Sequence, residues 1–337
     1  MSRISIRDIA KKLGLHHSTV SRALRNDQRI SAKVRDQVNR AAGELGYSPD
    51  PMLSALMVYR SGKIPNQSFR GTLALITNYP TRDGWHQYEK IGFHIGASRQ
   101  AKQLGYYLDV FWLHEPGMTT RAFNRILVAR NVQGLIFIPQ PRSHAHINLE
   151  WERFSAVRFG PTLVHPQLRM VDSDHFRGMA MLMRQLKRRG YRNPGFACQP
   201  RVDESISRQW SAAFWAYRIN PHKTPPIFMP REWGFAAFKA WFQKHQPDVV
   251  VSHTEDILKW LGQMKLRVPE DVGYAITACH GGPAYCSGVD ENNELIGETA
   301  VNVVVAMINR GERSIPTYPM TTQVVGFWHE GTTLRKA

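Results

Sequence analysis

The residues best placed to act together lie in one short run, His16-His17-Ser18-Thr19-Val20-Ser21-Arg22. Imidazole, hydroxyl and guanidinium groups at this density offer hydrogen bonds in both senses. Such groups read nucleic acid: an arginine grips a guanine edge with two N–H groups, and hydroxyls reach phosphates or bases. Ser5, Asn26 and Tyr47 are further polar candidates nearby. Other constellations are weaker. Cys279-His280 with Cys286 and His253 fits no standard zinc spacing, and His144-Ala145-His146 reads as a solvated loop pair. Gly281-Gly282-Pro283 reads as a turn. Phosphate loops of the G-x-x-x-x-G-K type, G-x-S-x-G elbows and H-E-x-x-H pairs are missing. These residues argue against an enzyme and call for neither a cofactor nor a metal.

Three helical patterns must position that run. Ser5 followed by Asp8 is a capping-box signature, and Ile6, Ile9, Ala10 and Leu13 form one apolar stripe. Gly14 suits the turn. A second helix from about His17 to Leu24 buries Val20, Ala23 and Leu24, leaving Ser18, Ser21, Arg22 and Arg25 on the opposite face. A third starts at Ser31, as cap, turns Val34, Val38, Ala41, Ala42 and Leu45 inward, and ends at Gly46. Helix, short glycine turn, helix is the helix-turn-helix plan.

Ile6-Arg7-Asp8-Ile9-Ala10, Thr19-Val20-Ser21-Arg22-Ala23-Leu24, Ile30-Ser31 and Leu45-Gly46-Tyr47-Ser48-Pro49 resemble the headpiece of the lactose-repressor/galactose-repressor (LacI/GalR) family over about sixty residues. The resemblance implies that His17, Ser18 and Arg22 face bases, while Thr19, Ser5 and basic side chains hold phosphates. It makes Asp50 to Leu56 a hinge helix that folds when two subunits meet on DNA, with Leu56 wedged into a minor-groove step. Leu53 stands where the family usually has alanine, and Leu15-His16 replaces the usual Val-Ser, so the serine cap of the second helix is missing. The resemblance further implies a homodimer on a pseudo-palindromic duplex operator, acting as a repressor. The sequence by itself does not separate repression from activation.

The chain of 337 residues has a formal charge of +17, of which residues 1–60 carry +6 and the remainder +11. Excess positive charge suits polyanionic partners. Three cysteines, Cys198, Cys279 and Cys286, give no disulfide framework. No signal-like N-terminal run and no apolar run of membrane-spanning length occurs. A cytoplasmic location is expected, with no membrane partner.

After a linker near 61–70, strands and helices alternate. Strands are expected at Thr72–Thr77, Tyr106–Leu113, Gly134–Ile138, Ala156–Phe159, Met170–Asp172, Gly195–Cys198, Asp248–Val251 and Val272–Ala275. Helices are expected at Trp85–Leu104, Thr119 or Thr120 to Asn131, Phe176–Arg189, Ser205–Tyr217, Phe235–His245 and Leu295–Asn309. This alternation implies parallel sheets covered on both faces, in two doubly wound α/β subdomains with a ligand cleft between them. Lys187-Arg188-Arg189-Gly190-Tyr191-Arg192, Leu266 to Val272, and Ile296-Gly297 before Ala300-Val301 resemble landmarks of the same family, whose core is periplasmic-binding-protein-like. The expected fold is an all-α helix-turn-helix headpiece (1–49), a hinge and linker (50–69) and a core for effector binding and dimerisation (70–337). Within the core, one subdomain takes about 70–170 and 293–320, the other 171–292 and 321–337, with crossings near Met170, Asn292 and Thr321.

Ligands in such sheets sit at the carboxyl ends of strands. The effector-binding candidates are Asn78, Tyr79, Gln140, Asp174, Arg208, Trp210, His253 and His280, with Arg142 beside them and Trp85, Trp210 and Trp233 as flat walls. Asp174 best matches a family position. Trp210 stands where sugar-binding relatives carry an arginine, and the Asn-Asp pair and aspartate that relatives carry later in the chain are replaced around His253 and His280. A small effector such as a carbohydrate is one expectation. A cleft that binds no effector is the alternative, and a free solute-binding protein is disfavoured by the headpiece.

Overall fold

A computed structural model describes residues 6–24, 29–45, 70–86, 92–142, 145–279 and 285–336. The chain divides into two compact units, 1–66 and 67–337. Ser5, Asn26, Tyr47, Leu53, Leu56 and His280 lie outside the described residues, as does the expected hinge helix.

The first unit holds α1 (Ile6–Leu13), α2 (His17–Leu24) and α3 (Ala32–Glu44). Ile9, Ala10, Val20, Ala23, Val38, Ala41 and Ala42 form its core. Gly14 takes a positive φ of 63° in the turn between α1 and α2. Lys12 Nζ lies 2.6 Å from Glu44 Oε2, joining α1 to α3, and lowers the pKa of that carboxyl. Ser31 stands at the N-cap of α3 as expected, but its hydroxyl makes no capping bond, and only its carbonyl accepts from Val34 and Arg35.

The second unit begins with β1 (Gly71–Thr77), α4 (Phe93–Gln103), β2 (Tyr106–Trp112), α5 (Thr120–Ala129), β3 (Val132–Phe137), β4 (Ala145–His146), β5 (Ser155–Phe159), β6 (Leu163–His165) and β7 (Arg169–Ser173). There follow α6 (His175–Arg188), β8 (Pro194–Ala197), α7 (Pro200–Ser205), α8 (Gln209–Ala216), α9 (Phe235–His245), β9 (Val249–Ser252), α10 (Asp256–Gln263), β10 (Gly273–Ile276) and β11 (Gly288–Asp290). The chain ends with α11 (Asn293–Arg310), β12 (Thr321–Val324) and β13 (Phe327–His329).

Six strands form one parallel sheet in the order β12-β7-β5-β3-β1-β2, and five form another in the order β13-β11-β10-β9-β8, with only β13 antiparallel. Strand β1 shows how the first sheet is covered. Leu73 and Leu75 face α4 and α11, where Ala97, Ala101, Ile296 and Val304 pack. Ala74 and Ile76 face the opposite layer with Phe123 and Leu127 of α5. A strand buried on both faces reads as a continuous apolar run. The second sheet is covered likewise, by α6 and α8 on one face and by α9 and α10 on the other.

Helices α4 and α11 cross at two glycines. A Cβ on Gly96 would stand 1.9 Å from the Glu294 carbonyl oxygen, and one on Gly297 would stand 2.1 Å from that of Phe93. Only residues without a side chain permit this approach.

Three expectations need correction. The helix expected from Trp85 is not continuous: Trp85 is a buried turn residue, His86 is helical, 87–91 lie outside the described residues, and α4 starts at Phe93 after Gly92 with φ 101°. The helix expected over Ser205–Tyr217 is two helices, because Ser207 and Arg208 both take a left-handed φ of 59°. The crossings fall after Ser173, between Asp290 and Asn293, and after Val324. Strand β7, cut by the expected boundary at Met170, and β12, which the boundary at Thr321 assigned to the other subdomain, are both in the first sheet, where they pair with each other.

Candidate nucleic-acid interface and ligand cleft

Helix α2 is built to present one face. Val20 and Ala23 are fully buried, which turns Arg22 to solvent and leaves Ser21 half-buried. His16 and His17 are exposed at its start, with Ser18 and Thr19 half-buried behind them. His16 supplies the cap that the sequence lacks as serine: Ser18 N–H donates to His16 Nδ1 at 3.4 Å, and Ser18 Oγ lies 2.8 Å from the same nitrogen. The His16 and His17 rings meet at 4.2 Å. The structure thus brings His16, His17, Ser18, Thr19, Ser21 and Arg22 together at one helix start and along one face. Hydroxyls and a guanidinium at a helix start can hold phosphate and reach base edges.

In the second unit, the carboxyl ends of the strands gather polar groups. Thr77 Oγ1, Gln140 Oε1, Asp172 Oδ2, Thr277 Oγ1 and both amide atoms of Asn293 are buried without a hydrogen-bond partner among the described residues. Buried polar groups are rarely left unsatisfied, so these atoms are candidates for contact with a polar ligand.

The candidates divide. Gln140 is 4% exposed and fixed by its own Nε2, which donates to the Ile138 carbonyl at 2.6 Å, while its backbone N–H donates to Thr162 Oγ1 at 2.7 Å. Asn78, 2.8 Å from His114 Nε2, joins Arg142 and His146 around a cavity of about 600 Å³. Tyr79 packs into the core beside Leu73 and Trp85, and its carbonyl accepts from Trp112 Nε1. Asp174 caps α6, with Oδ1 accepting from Arg177 N–H at 2.9 Å and Oδ2 at 3.3 Å from Arg177 Nε. Arg208 is not brought to this region: its side chain is 69% exposed and pairs with Glu204. Trp210 is buried edge-on to His175, and His253 sits between Trp210 and Trp233. Burial pulls the His253 pKa down to about 4, leaving a neutral ring at pH 7. Trp233 stacks into an aromatic cluster with Phe228 and Trp260. Burial pushes the Cys279 and Cys286 thiols up to about 12 and about 11, so both are unreactive.

Sequence reasoning missed the group at the first two crossings. His175 Nδ1 lies 2.8 Å from Glu291 Oε1, and its Nε2 lies 3.5 Å from Asp172 Oδ1. Burial opposes charge on this ring, but Glu291 and Asp172 together raise its pKa to about 10. A histidine between two acids far apart in sequence leaves no local pattern; only Asp172 stood in an expected strand.

Comparison with known proteins agrees with this architecture. Residues 5–50 match the family model described as bacterial regulatory proteins, lacI family. The HTH-type transcriptional regulator MalR of Streptococcus pneumoniae is 22% identical over 320 residues, covering 91% of this chain and 93% of its own. The HTH-type transcriptional repressor CytR of Escherichia coli is 44% identical over 48 residues, 14% of each chain. A lac repressor dimer bound to operator and the anti-inducer ONPF superposes with a TM-score of 0.54 at 16% identity, over 99% of this chain and 100% of that one. A CelR–cellobiose complex gives 0.55 at 19% identity, over 98% and 100%. Residues 5–50 are therefore similar to the headpiece of the lacI family of bacterial regulatory proteins, and the fold is like that of the lac repressor.

Proposed function

We propose that the protein is a sequence-specific transcription regulator, a repressor, that binds a pseudo-palindromic duplex operator as a homodimer in the bacterial cytoplasm. The observation that carries this reading is α2, which buries Val20 and Ala23 and sets His17, Ser18 and Arg22 on its free face. Arg22 would read a guanine, Ser18 and His17 neighbouring bases, and Thr19 and Ser21 phosphates. Selection from random duplexes tests this: a palindromic consensus is expected, and only salt-sensitive, sequence-blind binding overturns it.

The second unit supports modulation by a small polar effector. The unpartnered groups of Gln140, Thr277 and Asn293 are neutral donors and acceptors, which suits a hydroxyl-rich molecule such as a carbohydrate. A cleft that binds nothing is the competing reading, favoured by Asp174 being fully engaged as a helix cap. A thermal-shift screen over sugars and nucleosides separates the two. A true ligand at 100 times its Kd adds about 2.7 kcal/mol, whereas no shift across the panel supports the empty cleft.

A further inference from the structure

Part of the +11 charge outside residues 1–60 lies on one face of the second subdomain. Helix α6 exposes Arg184, Lys187 and Arg188 near its end. Helix α8 packs beside it and ends in Trp215 and Tyr217, 40% and 41% exposed, followed by Arg218. The Arg184 guanidinium lies 5.6 Å from the centre of the Tyr217 ring, and that of Arg218 lies 5.9 Å from Trp215. At the far end Arg335 covers the Tyr191 ring at 4.8 Å. None of Arg184, Lys187, Arg188, Arg218 and Arg335 has a carboxylate partner among the described residues. The neighbouring acids are occupied. Glu330 is held by Arg189 and Trp328, and Asp248 accepts from the backbone N–H groups of Arg192 and Asn193.

We propose that this face, made by α6, the end of α8 and Arg335, is a second docking surface for DNA, holding the phosphate backbone of a duplex without reading its sequence. Charge complementarity names the occupant. Guanidinium groups laid on aromatic rings are pre-oriented forks suited to phosphate oxygens. An acidic protein would also need apolar surface for its interface core, and here arginines cover the rings that would supply it. The face presents guanidinium and ammonium groups, whose hold on phosphate weakens as salt rises, so binding should follow salt rather than sequence. The role goes beyond that of α2: a dimer occupied at its operator could hold a second duplex segment.

The test uses the full chain saturated with its selected operator duplex, to which a labelled random-sequence duplex of about 30 base pairs is added. Binding of this second duplex is expected. Arg184→Ala/Arg188→Ala/Arg218→Ala should weaken it by about tenfold or more and make its log K against log salt slope about 2.7 units shallower, since each phosphate contact carries about 0.9. Replacing the same three residues by lysine should preserve most of the binding, and Arg121→Ala/Arg125→Ala on α5 should leave it intact. The proposal is overturned if no second duplex binds, if the triple alanine variant binds it equally well, or if polyglutamate occupies the face in preference to duplex. Because the random duplex is followed separately from the operator, failure of operator recognition and failure of this surface give different results.

Discussion

His175 Nδ1 stands 2.8 Å from Glu291 Oε1, so the first residue of α6 is bound to the segment that leads into α11. Both groups are nearly inaccessible, and Asp172 meets the ring from the other side. The first two connections between the subdomains are thus held by one imidazolium. The third is joined next door, where Asp174 N–H donates to the Val324 carbonyl at 2.9 Å. A cation at a helix start opposes the helix dipole, so the two carboxylates are what hold the charge there.

Removing that cation should be costly. His175→Asn leaves two carboxylates facing each other in a buried site, and a loss of about 3–5 kcal/mol is expected by chemical denaturation. A change within experimental error would remove the ion triad from the account of the crossings.

The same ring sets a pH dependence. Its pKa is about 10 in the folded chain and about 6.5 when unfolded. Its contribution is therefore complete below pH 6.5 and lost as pH rises towards 10. Between these limits the wild type should lose up to about 1.4 kcal/mol per pH unit relative to His175→Asn. The charged groups around the ring are Asp172 with Arg158 behind it, Asp174 with Arg177, and Glu291 with Asp290; α8 contributes only the indole of Trp210. Parallel pH profiles for the two proteins would refute the assignment.

In the headpiece, His16 caps α2 through a ring nitrogen at 3.4 Å, which is long for such a bond. His16→Ser should shorten the bond and raise the thermal stability of residues 1–49 by about 0.5–1 kcal/mol. Arg22→Ala should instead leave stability unchanged and cost about 1–3 kcal/mol of discrimination at one base pair, read as loss of preference at a single position in the selected consensus.

The glycines of the α4–α11 crossing make a matched pair of tests with one in α3. Gly297→Ala puts a methyl 2.1 Å from the Phe93 oxygen and should cost about 1–3 kcal/mol or more. Gly43→Ala meets nothing within 4 Å and should stabilise by about 0.5–1 kcal/mol. Equal effects at the two sites would mean that the helices separate easily.

What could be read from the sequence follows the range of the forces involved. The three headpiece helices and most core strands are local patterns, and β1, with every residue buried, is legible as Thr72 to Thr77. Strand β12 was not legible, because Thr321, Thr322 and Gln323 are exposed and their pairing with β7 is decided at a distance. The break at Ser207 and Arg208 is a backbone choice that no apolar periodicity signals. In the site, α2's polar face was visible, whereas the triad joins Asp172 and His175, three residues apart, to the distant Glu291. Asp174, expected to meet a ligand, also caps its own helix by accepting from the Arg177 N–H, a role its sequence position did not single out.

The arrangement of the first sheet has a consequence for how the chain acquires its structure during synthesis. Its strands begin at Gly71, yet the helix that covers one face, α11, starts only at Asn293, and the edge strand β12 arrives at Thr321. The four parallel strands of the second sheet, β8 to β11, are all in hand by Asp290 and lack only β13. A growing chain therefore completes most of its later half first. The earlier half must wait, with the apolar face formed by Leu73, Leu75 and Val157 covered by α4 alone, until nearly the whole protein has left the ribosome.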